Sequence, residues 1–480
     1  MTEPDVIVIG AGSSGCALVH RLSLDSSIRV LLLEAGVSGE TDPDVLTPGR
    51  WTSLMGSSYD WNYTTEPEPG LSGRRVAVPR GKVHGGSSAI NAMVHIRGSR
   101  SCFDAWRARG NPGWSYADLL PYFELDRQLA IGRGGAPHDG HLAFLRAAAD
   151  LGFEVNSNHD FNGPEPRGVA GFLPKNMLDG RRHSTAAAFL ELARRRPNVE
   201  IRSSAQATRV LLDGRRAVGA EYLHDGRREQ ARARREVVLC AGAIDSPKLL
   251  MLSGIGGADE LRAHGIPVVL DLPGVGKHLQ DHLKLSVRWN AKTTLPGSTV
   301  VAGLFTSLHD GGDDVQLLVG RGLDQPDHVV TITVSHLTPR SRGSVALRSA
   351  APLDAPVIRA NYLTDPHDVD VLVEGVALAR RFGESRAYDA LRAGEIEPGS
   401  SVQDVAQFVR RKSDSIYHAA GTCRMGPATD RDAVVDSELR VHGIEGLRVA
   451  DAAIMPEIVN APTHAACVMI GEKCASIMAS

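Results

Sequence analysis

The chain has 480 residues and a mass of 51.3 kDa, which at roughly 100 to 200 residues per domain gives room for two or three domains. Its 53 Lys and Arg against 56 Asp and Glu leave a net charge of -3, with 42% hydrophobic and 23% charged residues. This is the balance of an ordinary globular protein and supplies no basic field for nucleic acid or an anionic membrane. The six cysteines lie far apart with no CxxC pair, which argues against a structural zinc site and a disulfide framework. No stretch approaches the roughly 18 apolar residues of a membrane span, and the first residues hold no basic n-region, so a cytoplasmic, unprocessed protein is expected.

Asp5 to Ile9 (DVIVI) is short, apolar and β-branched, as suits a central parallel strand buried on both faces. GAGSSG follows, matching G-x-G-x-x-G at Gly10, Gly12 and Gly15; CALVHRLS then has helical spacing, and Ile28 to Leu33 forms a second strand running into Glu34. Glycine at such a turn lets the backbone approach a pyrophosphate, and the helix N-terminus offers unpaired N–H groups and a favourable dipole. Glu34 lies 19 residues beyond Gly15, where an acid takes ribose hydroxyls and prefers a free 2′-hydroxyl, which disfavours NADP. The unit predicts a dinucleotide site and leaves both NAD and FAD open.

Residues 38 to 75, with Trp51, Tyr59, Trp61 and Tyr63 among many Gly, Pro, Ser and Thr, read as an ordered excursion over a ligand. Arg80 to Met93 (RGKVHGGSSAINAM) places a glycine pair and two serines before an expected helix, a second backbone nest for phosphate or a flavin edge. Helices are expected around Tyr116 to Leu129, Leu142 to Leu151 and Ser184 to Arg196, the last capped by Ser184. Residues 199 to 240 alternate like strands and read as an antiparallel meander. EVVLCAGAIDSPKLLMLSGIG then predicts an apolar strand, a turn and a helix begun at Ser246-Pro247. From about 286 to 350, LSVRWNA, DVQLLVG, HVVTITVSHL and GSVALRS predict a second antiparallel sheet, followed by a helix near Val369 to Phe382. A short strand reaching Asp451 and a last helix in THAACVMIGEKCASIM close the chain.

From GAGSSG to GEKCASIM the chain resembles the glucose-methanol-choline (GMC) family of FAD-dependent oxidoreductases. The likeness rests on GKVHGGSSAIN (Gly81 to Asn91), GAIDSPKLLMLSGIG (Gly242 to Gly256), GVGKHLQDHL (Gly274 to Leu283) and YHAAGTCRMG (Tyr417 to Gly426). The resemblance implies an α/β chain with a Rossmann-like FAD domain built from residues 1–150, 182–285 and 436–480. Residues 151–181 and 286–435 would form a substrate domain with an antiparallel sheet and helices. It implies FAD over NAD, with the ADP moiety on Gly10, Gly12, Ser13, Ser14, Gly15, Glu34 and Ala35, and adenine near Ala207. The isoalloxazine would lie near Gly86, Ser87, Asn91, Met93 and Val94, with Asp451 and Ala452 completing its pocket. Ala89 stands where covalently flavinylated members have histidine, so non-covalent FAD is expected, with His84 an alternative attachment point. Segments near 130 and 295 to 325 are short for the family, which implies a smaller or more open pocket.

Removing hydride from an alcohol needs a base for the hydroxyl proton, and histidine titrates in the right range. Eighteen histidines make identity alone uninformative. The resemblance puts the catalytic pair at His418 and His464, one taking the proton and the other binding the same oxygen, with hydride passing to flavin N5. His95, His278, His282 and His336 read as structural, Cys423 as a packed thiol, and Asp281 with His282 as structural polar contacts. No metal site is expected. Family likeness of SSAINAM and GNPGWSYADLLPYF points to a primary, aryl or furanic alcohol, with dioxygen or another acceptor reoxidising the flavin. Sugar or polyol oxidation and a non-redox hydroxynitrile-lyase activity are the alternatives, and choline has no visible aromatic box to receive it.

Overall fold

The computed structural model describes residues 3–125, 128–163, 168–308, 314–320 and 327–479. The β-branched run after Asp5 is strand β1 (Val6–Ile9), buried throughout. Gly10 and Gly12 turn the chain into helix α1 (Ser13–Leu22), and strand β2 (Val30–Leu33) returns beside β1. Helix α2 (Asp139–Asp150) and strand β3 (Lys175–Leu178) lie beyond the long excursion. Strand β4 (Val199–Arg202) joins β2, and β5 (Ala205–Asp213), β6 (Arg216–His224) and β7 (Arg227–Arg232) form an antiparallel meander. Strand β8 (Glu236–Leu239) then lies on the other side of β1 and leads into helix α3 (Gly242–Leu252). Strands β9 (Leu283–Ala291), β10 (Ala302–Thr306), β11 (Val315–Val319) and β12 (Val329–His336) precede helix α4 (Pro366–Glu384). Strand β13 (Leu447–Val449) and helix α5 (His464–Ala479) come last.

The first sheet has the order β4-β2-β1-β8-β13, with every neighbouring pair parallel. The chain reverses direction across the sheet at β1, which opens a crevice at the carboxyl ends of β1 and β8. The C-terminal helix α5 crosses α1 so closely that a Cβ on Gly471 would stand 2.3 Å from the Ser14 carbonyl oxygen. Glycine is required there, and this contact brings the start of α5 to the start of α1.

The second sheet has eight strands and is mostly antiparallel, with β9, β12, β11 and β10 adjacent in that order. Strand β9 alternates as a sheet with two different faces should. Leu283, Leu285, Val287 and Trp289 are buried, whereas Lys284, Ser286 and Arg288 are more open and line a cavity. Helix α4 seats on this sheet through glycines: a Cβ on Gly375 would meet Val334 at 2.5 Å, and one on Gly383 would meet the Trp289 ring at 2.2 Å. Helix α2 packs alongside, with Phe144 stacked on Phe382 at 4.9 Å.

Several elements differ from the sequence reading. Only the middle of 199–240 is a meander, because both flanks are strands of the parallel sheet. Gly86–Ala89 is one 3-10 turn, and the next helix begins only at Arg100. The helix expected over Ser184 to Arg196 is present over residues 185–194 with Ser184 Oγ accepting from Ala187 N at 3.4 Å, but its Ala186–Leu190 part is wound as a π-helix. The strand in GSVALRS, Ser344–Ala346, pairs with Val357–Arg359 as a separate ribbon. The helix expected around Tyr116 to Leu129 spans Tyr116–Glu124, and residues 126 and 127 lie outside the described residues, as do parts of the short 295–325 segment.

Helix α3 begins four residues earlier than Ser246-Pro247 suggested, so Pro247 lies inside it. An internal proline leaves the carbonyl four residues back without its donor. That carbonyl is Ala243 O, and the buried Thr422 hydroxyl donates to it at 2.6 Å. Thr422→Val keeps the shape and removes the donor, and is expected to cost about 1–3 kcal/mol, read as a lower urea midpoint. An unchanged midpoint would show that the helix tolerates the gap.

Candidate active site

A cavity of about 1030 Å³ runs from the carboxyl ends of β1, β2 and β8 to the open face of the second sheet. At its first end the backbone is forced into place by contacts no side chain could survive. Gly10 has φ +104°, and a Cβ there would stand 2.5 Å from the Cys240 oxygen. Gly10, Gly12, Ser13 and Ser14 face the cavity, and α1 starts at Gly12 with no side-chain cap and no acid in its first turn. The N–H groups and positive dipole end are therefore presented to a ligand. Gly15, expected to hold the ADP moiety, is not on the wall: a Cβ there would meet the Gly10 oxygen at 2.0 Å, so it serves the packing of helix on turn.

Glu34 is buried on the same wall, accepting hydrogen bonds from Ala11 N at 2.8 Å and Gly36 N at 2.7 Å. Burial raises its pKa against these two donors, and a carboxylate with two bonds still has acceptor capacity for hydroxyls. Ala35 and Ala207 line the cavity beside it. The second nest lies directly on the first loop, since Gly86 has φ +51° and its missing Cβ would meet Gly12 Cα at 2.7 Å. Gly86, Ser87, Asn91, Met93 and Val94 continue the wall. Asn91 Oδ1 accepts from Met93 N at 2.9 Å and from Arg182 at 3.0 Å. Asp451 and Ala452 complete it, with the Asp451 carboxylate accepting from Ser246 Oγ, Gly242 N and Ala453 N. His84 is elsewhere, buried against Ser203, Arg194 and Glu40 and off the cavity wall, which removes it as an attachment point.

His418 and His464 both line the cavity. His464 is the first residue of α5, and its Nδ1 meets Ser13 Oγ at 2.9 Å, a consequence of the close α1–α5 crossing. Its Nε2 is buried with no protein partner. Burial, with the charges of His95 and Arg182, pushes its pKa down to about 3. His418 follows Tyr417, whose φ is +70°. Its Nδ1 lies 2.9 Å from Nδ1 of His282, with the rings edge to face at 82°. Burial and the charges of His282, Arg80 and Lys284 hold the His418 pKa well below the ordinary value.

The sequence reading left His282 structural, yet it is the direct partner of His418. Asp281 is equally involved: one oxygen accepts from His418 N at 2.7 Å, the other from Tyr362 OH at 2.6 Å and Ser415 Oγ at 2.5 Å. The Asp-His dipeptide thus fixes both backbone and ring of His418. His95 stands edge-on to His464 with ring centres 5.7 Å apart. His278 and His336 pair with Asp432 and Asp368 and do not reach the wall. Cys423 is buried, and burial raises its pKa well above the usual thiol range, so it is inert.

Models of the GMC oxidoreductase family match residues 4–284 and 339–471. The chain is 40% identical to the mitochondrial choline dehydrogenase of Mus musculus, covering 99% of this chain and 89% of that protein. It is 38% identical to the oxygen-dependent choline dehydrogenase of Brucella anthropi, covering 98% and 94%. Among solved structures it is similar to pyridoxine 4-oxidase from Mesorbium loti, at 33% identity and TM-score 0.92 over 98% of each chain. An FAD-dependent oxidoreductase from Chaetomium thermophilum shares 25% identity and TM-score 0.90, covering 99% of both chains. The residues present fit FAD: two glycine nests in contact, an uncapped helix start and a buried acid line one elongated cavity. Among the described residues no helix is long and apolar enough to cross a membrane.

His282, His464 and His141, each pushed to about 3, and His20, pushed to about 4, are held neutral by burial. Unfolding restores their ordinary affinity near 6.5, so between that value and the folded pKa the unfolded state binds more protons. Their contribution to stability is present above about pH 6.5 and is lost as pH falls, at up to about 1.4 kcal/mol per unit per histidine. Urea unfolding at pH 7 and pH 5 should show a clear drop in stability at pH 5; equal stability would mean that these rings are already charged in the fold.

Proposed function

The chain belongs to the GMC oxidoreductases, FAD-dependent enzymes, and we propose that it oxidises a primary alcohol, aryl or furanic in kind, to the aldehyde. The observation that carries the reading is the histidine pair: His418 and His464 share a cavity with the dinucleotide cradle, and each is anchored through Nδ1. Each therefore keeps Nε2 for one substrate oxygen. Choline and pyridoxine, named for the relatives, both carry a primary alcohol. FAD supplies the hydride acceptor, with dioxygen or another acceptor reoxidising it.

Two neutral rings sharing one Nδ1···Nδ1 hydrogen bond must take complementary tautomers, one donating and the other accepting. If His418 donates Nδ1–H to His282, its Nε2 holds the lone pair and can take the hydroxyl proton. The depressed pKa keeps that lone pair available at neutral pH. The imidazolium formed on proton transfer remains bonded to His282. When Ser13 donates to Nδ1 of His464, Nε2 of His464 carries a proton and donates to the oxygen on which alkoxide charge develops. The start of α5 adds the positive end of a 16-residue helix to the same wall. Non-covalent attachment of FAD accords with Ala89 being buried off the wall and His84 being engaged elsewhere.

His418→Ala should bind FAD as the wild type does, because the cradle is untouched. Its anaerobic flavin reduction by alcohol should be slower by about 10² to 10⁴-fold, the usual contribution of a general base. Unchanged reduction in a fully FAD-loaded variant would overturn the assignment.

A further inference from the structure

Lys175 opens β3 and reaches the cavity wall with only 4% of its surface exposed. A buried ammonium ordinarily takes a carboxylate, because an unpaired charge away from water is costly. Among the described residues Lys175 has none, and the charge that most affects it is another cation, Arg182. Arg182 donates to the carbonyls of Val45, Ser88 and Asn91 and supplies no counter-charge. His141 of α2 feels the Lys175 charge and is itself neutral, its pKa pushed to about 3.

The acids on the substrate side of the cavity are already matched. Glu397 accepts from Arg288 and Lys412, and Asp414 stands against Lys284. His138 and Gly140, at the N-terminus of α2, line the same cavity; this helix start is capped by the His138 side chain and carries Asp139 in its first turn, so Lys175 is the group on this wall with charge to offer. Burial, and after it the Arg182 charge, push the Lys175 ammonium down to about 7. The cavity thus contains a buried amine, matched by no acid among the described residues, that a bound carboxylate would hold in its charged form.

We propose that Lys175 is a substrate-binding residue that takes a carboxylate carried by the alcohol, so that the preferred substrate is an anionic primary alcohol such as a hydroxymethyl-arenecarboxylate. The inference rests on the alcohol reading and sharpens it. A quaternary ammonium placed against Lys175 would meet like charge there, whereas a carboxylate would meet its opposite.

Isothermal titration of the FAD-loaded protein with 4-methylbenzoate and 4-methylbenzamide, neither of which has a hydroxyl to oxidise, tests the charge alone. The wild type should bind the carboxylate more tightly. Lys175→Met should weaken the carboxylate about 10- to 100-fold, as loss of a charged hydrogen bond does, while changing the amide less than about twofold. Lys175→Arg should restore most of the difference. Equal affinities for the two ligands in the wild type, or an unchanged carboxylate affinity in Lys175→Met, would overturn the proposal. An unchanged affinity together with a shifted flavin midpoint potential would assign the charge to the cofactor instead. Anaerobic bleaching of the flavin by benzyl alcohol checks the alcohol reading separately: bleaching without carboxylate preference sinks only the role of Lys175, whereas bleaching by no alcohol sinks the reading beneath it.

Discussion

The buried carboxylate of Asp281 is the interaction on which the site depends. It lies two residues before β9 and collects three donors, Tyr362 OH, Ser415 Oγ and the backbone N–H of His418. Removing such a carboxylate from water costs several kcal/mol unless hydrogen bonds replace the lost hydration, and burial does raise its pKa despite these partners. The arrangement ties the start of the second sheet to the loop that carries His418. The next residue, His282, holds the His418 ring through Nδ1. Two adjacent residues therefore set both the position and the ring orientation of the proposed base.

The other half of the site is set by close backbone approach. Gly471 against Ser14 brings α5 onto α1, and Gly86 against Gly12 brings the second nest onto the first loop. Any side chain at these positions would push the elements apart, and with them the Ser13–His464 contact. The two histidines thus reach one cavity by different means. One is held by a buried polar network and the other by packing that only glycine permits. Orientation by rigid neighbours is what a proton transfer coupled to hydride loss requires.

The local features were the legible ones. The β1–α1–β2 unit and its glycines follow from spacing within some thirty residues, and the structure places Gly10 and Gly12 on the cavity wall and Gly15 in the packing of helix on turn. His418 and His464 were readable only through family resemblance, since nothing in YHAAGT or APTHAAC separates them physically from the other histidines. His282 was missed because its partner lies 136 residues away. The start of α3 was misplaced for the same reason: Pro247 is tolerated inside the helix because Thr422, 179 residues from Ala243, supplies the absent donor. Lys175 did leave a signal, a lone charge between apolar residues in FLPKNML, but the lack of a counter-ion is visible only in three dimensions.

The central claim, that this cavity takes hydride from the carbinol carbon of a primary alcohol, is tested most directly by anaerobic mixing of the FAD-loaded protein with a benzylic alcohol and its α,α-dideuterated form. The account predicts complete bleaching of the visible flavin bands, several-fold slower with deuterium. Persistent flavin colour with benzylic, furanic and carboxylate-bearing alcohols alike would contradict it.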